Sequence, residues 1–187
     1  MRSVIYLVIF LLPANSIAQD FLLTDSTMRK ALLPEGFKNT GVTFKSFAAK
    51  STNGERYTAD SLMGKVTFIS FWFAECAPCL AEFDALNDLY DRYKKNEKFQ
   101  FLSFTFETSE KASTVANKYH ISYPILCVPK PVMYDLIFDL GFPTNIVTDR
   151  QGKIILIKCG GGLTKEMTKA NIETLFSKQV EDLLSSK

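Results

Sequence analysis

Apolar residues recur along this chain in two rhythms, and the switch between them marks the elements. Val66 to Phe73 is apolar on both faces, the pattern of a buried parallel strand. From Cys79 to Lys95 the rhythm changes. Leu80, Phe83, Leu86, Tyr90 and Tyr93 recur at spacings of three and four, which predicts a helix with one apolar face. Glu82 and Asp84 near its start, and Arg92, Lys94 and Lys95 near its end, complement the helix dipole. Phe99 to Phe106 reads as a second buried strand, and Glu110 to His120 as a second helix. Tyr123 to Val128 predicts a short strand, and Val132 to Leu140 a short helix. Asn145 to Thr148 and Lys153 to Cys159 flank the turn Asp149-Arg150-Gln151-Gly152 and predict a hairpin. Gly160-Gly161-Gly162 breaks the chain before a final amphipathic helix, Thr164 to Leu184, with Thr164 as its cap.

Upstream, Val42 to Phe47 alternates loosely, Thr52-Asn53-Gly54 is a turn signal, and Arg56-Tyr57-Thr58 reads as a return strand. Asp60 to Lys65 is a helical turn or loop feeding the central strand. This order predicts an α/β fold: a central mixed β-sheet flanked by helices and preceded by an N-terminal β-hairpin. Residues 1–18 stand apart. Arg2, the apolar run Val4 to Leu12, Pro13 and the small-residue ending at Ala18 form a secretory signal pattern, with cleavage expected after Ala18. The run is too short to span a bilayer, and no cysteine follows Ala18 to carry a lipid. The expected division is therefore a signal peptide over 1–18, an N-terminal extension over 19–40 and one domain over 41–187.

Composition agrees with that division. A chain of 187 residues with 47% hydrophobic and 22% charged positions is long enough for one domain with a sizeable core. The net charge of +2 and the absence of a basic block exclude a dedicated nucleic-acid binder. Sixteen Phe residues predict a bulky sheet core. Export matters chemically, because disulfides persist outside the cytosol.

The candidate chemistry lies where the central strand meets its helix, at Cys76-Ala77-Pro78-Cys79. A helix start offers unpaired N–H groups and the positive end of the dipole, and both favour a thiolate. Cys76, first in the turn, is expected at its exposed edge as the attacking thiol. Cys79, one turn inside, is expected to resolve the mixed disulfide. A zinc half-site is the other reading of the spacing, but it would need a second Cys/His pair at matching spacing. Glu82, three residues after Cys79, shares its helix face. A partly buried carboxylate there would have a raised pKa and could exchange a proton with the shielded thiol.

Four stretches carry a family resemblance. They are Ser61-Leu62-Met63-Gly64-Lys65 after the hairpin, Phe71-Trp72 with Cys76-Ala77-Pro78-Cys79, Glu82 at its spacing, and Gly141-Phe142-Pro143-Thr144 before Asp149-Arg150-Gln151-Gly152-Lys153. On these, roughly Val42 to Gly161 resembles the thioredoxin superfamily, and within it the exported TlpA/ResA-like thiol–disulfide oxidoreductases. The resemblance implies a thioredoxin-like fold, a cis Pro143, and catalysis by Cys76, Cys79 and Glu82. It implies that Trp72, Ala77, Pro78, Phe142 and Pro143 meet the substrate. It also implies a periplasmic protein with no cofactor beyond the redox-active disulfide. Its clients would be proteins carrying thiols or disulfides, apocytochromes among them, and it would more often reduce than oxidise, drawing on a membrane thiol donor.

One residue departs from the family pattern. Many relatives have Trp before the first cysteine, whereas this chain has Glu75. An inward carboxylate would oppose the Cys76 thiolate, and the expected orientation is toward solvent. Cys127 and Cys159 end predicted strands and are expected as two buried thiols in preference to a bonded pair. His120 reads as a surface or helix-end residue. Two other functions compete: a copper(I)-handling module on the two thiolates, and a peroxidase. For the latter, Phe73 stands where the typical peroxiredoxin pattern has threonine.

Overall fold

A computed structural model describes residues 40–162 and 164–186. The expected signal peptide and almost all of the N-terminal extension lie outside the described residues. The described chain begins with β1 (Ala48–Ser51), β2 (Arg56–Thr58) and a 3-10 turn (Ala59–Leu62). Then follow β3 (Val66–Phe71), α1 (Ala77–Tyr93), β4 (Phe99–Thr105), α2 (Ser109–Lys118), β5 (Ile125–Cys127) and α3 (Lys130–Leu136). The last elements are β6 (Thr144–Thr148), β7 (Ile154–Cys159), α4 (Lys165–Asn171), a π-helical segment (Ile172–Ser177) and α5 (Lys178–Ser185).

The strands form one sheet in the order β2-β1-β5-β4-β3-β6-β7. β3 pairs in parallel with β4 and antiparallel with β6, so the expected mixed sheet is found. All six β3 residues are buried, which explains its continuous apolar run. Alternation along β3 divides the interior. Val66, Phe68 and Trp72 enter one core with α1 and the C-terminal helices, while Ile69 and Phe71 enter another with Phe44, Phe47 and Leu62.

Where boundaries differ from the sequence reading, local chemistry accounts for it. The first strand was expected over Val42 to Phe47 and lies instead at Ala48–Ser51. The turn fixes the hairpin register by bonds from Gly54 N–H to Ser51 O and Ser51 N–H to Glu55 O, so Lys50 pairs with Arg56. Residues 41–44 instead run beside the start of β7, with Gly41 N–H on Ile154 O and Phe44 N–H on Gly152 O, covering only that end of the sheet edge. Phe44 and Phe47 are buried as core side chains rather than strand alternates. α1 begins at Ala77, two residues before the predicted start, because Cys76 caps it and Pro78 is tolerated in a first turn. α3 likewise begins two residues before Val132, and the chain turns away through Phe138 and Asp139, both at positive φ.

The predicted C-terminal helix is present, but a π segment interrupts it. Thr164 caps it, its side-chain oxygen accepting from Met167 N–H. At the π segment Arg92 donates to Glu173 and to Ser177 Oγ, and the Tyr93 hydroxyl donates to Ser177 O. The end of the helix is held separately. Arg150, in the β6–β7 turn, donates to the carbonyls of Leu183, Leu184 and Ser186.

Candidate active site

β3 delivers the chain to the site at its C-terminal end, and α1 receives it. Cys76 is the N-cap of α1: its sulfur accepts the Cys79 N–H at 3.3 Å, and its carbonyl accepts Leu80 N–H. One orphan donor of the helix start thus points at the Cys76 sulfur. Cys76 and Cys79 are joined as a disulfide with their Cα atoms 5.2 Å apart. Cys76 was expected at an exposed edge, but it is only 5% exposed, against 1% for Cys79. In the oxidised pair its sulfur is turned onto the helix N-terminus, and the exposed atoms of the turn belong to Ala77 and Pro78.

The Phe142–Pro143 peptide bond is cis. Gly161 links this loop to the dithiol turn. A Cβ placed on it would lie 3.3 Å from Pro143 Cγ, from Pro78 Cβ and from the Pro78 carbonyl oxygen. The same strand exit donates Gly160 N–H to Pro143 O at 2.8 Å. Phe142 is half-buried, edge-on to Phe73, Phe106 and Tyr134. Trp72, expected among the substrate-facing residues, is fully buried. It continues the β3 alternation inward, donates Nε1–H to Ser103 Oγ at 2.7 Å and packs edge-on against Phe83. It therefore supports the site from beneath instead of lining its surface.

Glu82 lies on the inward face of α1, only 3% exposed, and accepts the Asn145 side-chain N–H at 2.8 Å. Burial pushes its carboxyl from about 4.5 up to about 7, partly offset by the Asn145 hydrogen bond and the charge of Lys158. The sheet builds this setting. Ser103, Ser70, Asn145 and Lys158 are register neighbours on β4, β3, β6 and β7. They cross the sheet as a polar row within the apolar face.

Glu75 projects outward and pairs with Lys111 of α2 at 2.5 Å. That ion pair holds its carboxyl below the usual range. Lys111 also meets Glu107 at 3.0 Å. Glu107, its side chain 9% exposed, accepts Ala74 N–H at 2.8 Å and so fixes the backbone two residues before Cys76.

Cys127 and Cys159 are both free. The expectation that both are buried holds poorly. Cys127 is half-buried, with its thiol pushed up by burial and by Glu107, but Cys159 is exposed. Cys159 is the last residue of an edge strand, and Gly160, at positive φ, turns the chain away from it. His120 is exposed at the end of α2. Among the described residues no group of three or more His, Cys, Asp or Glu is placed to hold a metal ion.

The sequence reading missed Asn145, Glu107, Lys111 and Lys158. A polar Asn145 inside a buried strand was the one visible signal. The others act through long-range pairing that spacing does not reveal.

A cysteine pair capping a helix at the end of a central mixed sheet, beside a cis-proline loop, defines a thioredoxin-like thiol–disulfide oxidoreductase. The chain belongs to the AhpC/TSA family, whose model matches residues 40–157. It is similar to the thioredoxin-like protein YneN of Bacillus subtilis, 29% identical over 125 residues, 65% of this chain and 72% of that one. It is also similar to the thiol-disulfide oxidoreductase ResA of Bacillus thuringiensis, 26% identical over 134 residues, 71% of this chain and 74% of that one. A solved thiol-disulfide oxidoreductase from Bacteroides fragilis shares the fold at a TM-score of 0.61 and 24% identity, covering 76% of this chain and all of that one.

Proposed function

We propose that this oxidoreductase is an exported, periplasmic enzyme that reduces disulfides in client proteins through Cys76 and Cys79. The observation that carries the reading is the disulfide at the start of α1 with a buried carboxyl, Glu82, on the same helix face behind it. In the reduced protein the Cys76 thiolate attacks one sulfur of the client disulfide. A mixed disulfide forms, and the other client sulfur leaves as a thiolate. Cys79 then gives its proton to Glu82 and attacks Cys76 Sγ. This releases the second client thiolate and closes the Cys76–Cys79 bond. The client gains two electrons and takes up two protons. A thiol donor at the membrane would reopen the enzyme's disulfide, and the dithiol itself is the redox group, with no separate cofactor.

A client cysteine would approach the exposed Ala77 and Pro78, with the half-buried Phe142 and the buried Pro143 of the cis-proline loop behind them. Apocytochromes belong among the candidate clients because the resemblance implies them. The secretory pattern in residues 1–18 supports export.

The test has two parts. Cys76→Ser is expected to abolish reduction of insulin disulfides, and Cys79→Ser to accumulate a mixed disulfide with client protein. Retention of full multi-turnover activity by Cys79→Ala would refute the two-thiol route. Direction follows from the equilibrium potential of the couple. A value near about −270 mV fits a reductant, and one near about −120 mV would make the protein an oxidant.

A further inference from the structure

Two carboxylates are tied to the segment just before the attacking cysteine. Glu75 immediately precedes Cys76 in the chain, and Glu107 is bonded to the Ala74 N–H two residues before it. Any negative charge held there opposes a thiolate on Cys76, because like charges within a Debye length disfavour ionisation. One cation meets both: Lys111 Nζ lies 2.5 Å from Glu75 Oε1 and 3.0 Å from Glu107 Oε2. Lys111 reaches them from the first turn of α2, three residues after the cap Thr108. That is an unfavourable end of a helix for a cation. The Lys111 and Glu75 side chains are 45% and 67% exposed, and exposed pairs of this kind contribute little to stability. Helix preference does not account for a lysine in this place, and the stability it gives comes through the nearly buried Glu107 rather than through Glu75.

We propose that Lys111 is a positioning residue for the dithiol, offsetting the Glu75 and Glu107 carboxylates so that the Cys76 thiolate forms beside a local charge of −1 (two carboxylates, one ammonium) rather than −2. The proposal deepens the reading of Cys76 as the attacking thiolate and rests on it. Cys127 of β5 also feels the Glu107 charge, and Glu82 on α1, with Lys158 of β7 within its electrostatic reach, lies on the sheet side of the helix. All three are unchanged in every variant below. The same arrangement explains how this chain carries a carboxylate next to its first cysteine. The charge that Glu75 introduces is met on the spot by α2.

The test reads Cys76 itself, as the rate at which iodoacetamide modifies the Cys76 site of the reduced protein across pH, resolved by peptide mass spectrometry from Cys79 and from the free Cys127 and Cys159, for the parent and four variants. Lys111→Gln leaves two unmatched carboxylates. Its alkylation near neutral pH is expected to slow about three- to tenfold, with the profile displaced to higher pH. Glu75→Gln alone is expected to displace the profile to lower pH. The double variant Glu75→Gln with Lys111→Gln restores the local charge of −1 and is expected to return close to the parent. Lys118→Gln, which removes a cation at the far end of α2, is expected to overlay it. At about 1 M salt, where the Debye length is about 3 Å, the differences should collapse. Overlay of the Lys111→Gln and parent profiles, or failure of the double variant to return, would overturn the proposal. Should Lys111→Gln fail to fold, the double variant is compared with Glu75→Gln: loss of Lys111 is expected to displace the profile to higher pH, and overlay of those two would overturn the proposal. The exchange reading fails separately: a parent protein that alkylates as described yet reduces no client disulfide would sink that reading and leave the charge balance standing.

Discussion

Asn145 of β6 donates its side-chain amide to Glu82 of α1 at 2.8 Å, joining residues 63 apart in sequence beneath the dithiol. The bond sets what Glu82 can do. Burial alone drives the carboxyl toward its neutral form, and the amide opposes that drive by stabilising the carboxylate. The outcome is a group that can hold or release a proton near neutral pH.

Glu82→Gln tests this through stability. In the unfolded chain a glutamate titrates near its ordinary value of 4.5, and in the folded protein Glu82 titrates at about 7. Below about 4.5 both states hold the proton, and above about 7 neither does. Between these values the folded state binds more protons, so stability falls as pH rises, by about 3 kcal/mol across the window. The Gln variant should lose this fall, leaving it relatively more stable above pH 7. Urea unfolding across pH for both proteins measures it. If the two stability profiles have the same slope, Glu82 is not the titrating group. If Glu82 serves Cys79, the variant should also resolve mixed disulfides more slowly, with an altered pH profile.

Asn145→Ala should move the carboxyl in the opposite sense to its partner's present influence. Losing the amide leaves the buried acceptor short of a donor, at a cost of about 1–3 kcal/mol at alkaline pH, where Glu82 is ionised. The Glu82 titration should shift upward, followed by carbon NMR of labelled glutamate. An unchanged titration would show that the hydrogen bond contributes nothing to the site's electrostatics.

Gly161 and Gly162 separate two effects of one loop. A Cβ on Gly162 would lie 2.5 Å from the Thr168 backbone nitrogen, so Gly162→Ala must displace the first turn of α4. The expected loss is about 1–3 kcal/mol, read as a lowered Tm. At Gly161 the nearest atoms, in Pro78 and Pro143, are at 3.3 Å, a distance met by shifts of a few tenths of an ångström. Gly161→Ala should therefore cost less stability and alter client reduction more. A larger Tm loss for Gly161→Ala than for Gly162→Ala would contradict that ranking.

The two remaining thiols should differ in reactivity. Cys159 is exposed, while burial and Glu107 push up the Cys127 thiol. Brief maleimide treatment of the oxidised native protein should label Cys159 first and Cys127 slowly, as resolved by peptide mass spectrometry. Equal labelling would contradict the difference in environment.

Most of the architecture is legible in the sequence because the buried strands and amphipathic helices announce their periods. The run Val66 to Phe73 and the spacing from Leu80 to Tyr93 fix the centre of the fold, and the cysteine pair between them marks the site. Helix spacing sets Glu82 beside Cys79 but allows equally a solvent-exposed helix-start carboxylate; its burial against the sheet is decided by packing. Other features are decided by tertiary packing. Phe44 and Phe47 look like strand alternates but serve as core anchors in a segment laid against β7. The family resemblance sets Trp72 among the substrate-facing residues, yet the pleat of β3 turns it inward onto Ser103. The Glu75–Lys111–Glu107 cluster joins residues from two loops and a helix, and no local period connects them.

The Arg150 clasp on the last helix ties the chain's end to a turn formed well before it in sequence. Three carbonyls, those of Leu183, Leu184 and Ser186, share one guanidinium nitrogen. The final turn therefore takes donors from the β6–β7 hairpin in addition to its own cap, Ser186, whose N–H donates to Asp182 O and whose hydroxyl donates to Leu183 O. For anyone handling this protein, the end of α5 is not a neutral place to attach a tag. A fusion that begins by pulling residues 183–186 outward strips the guanidinium of its acceptors and loosens the hairpin whose far end borders Pro143. A spacer that leaves those four residues in register does not.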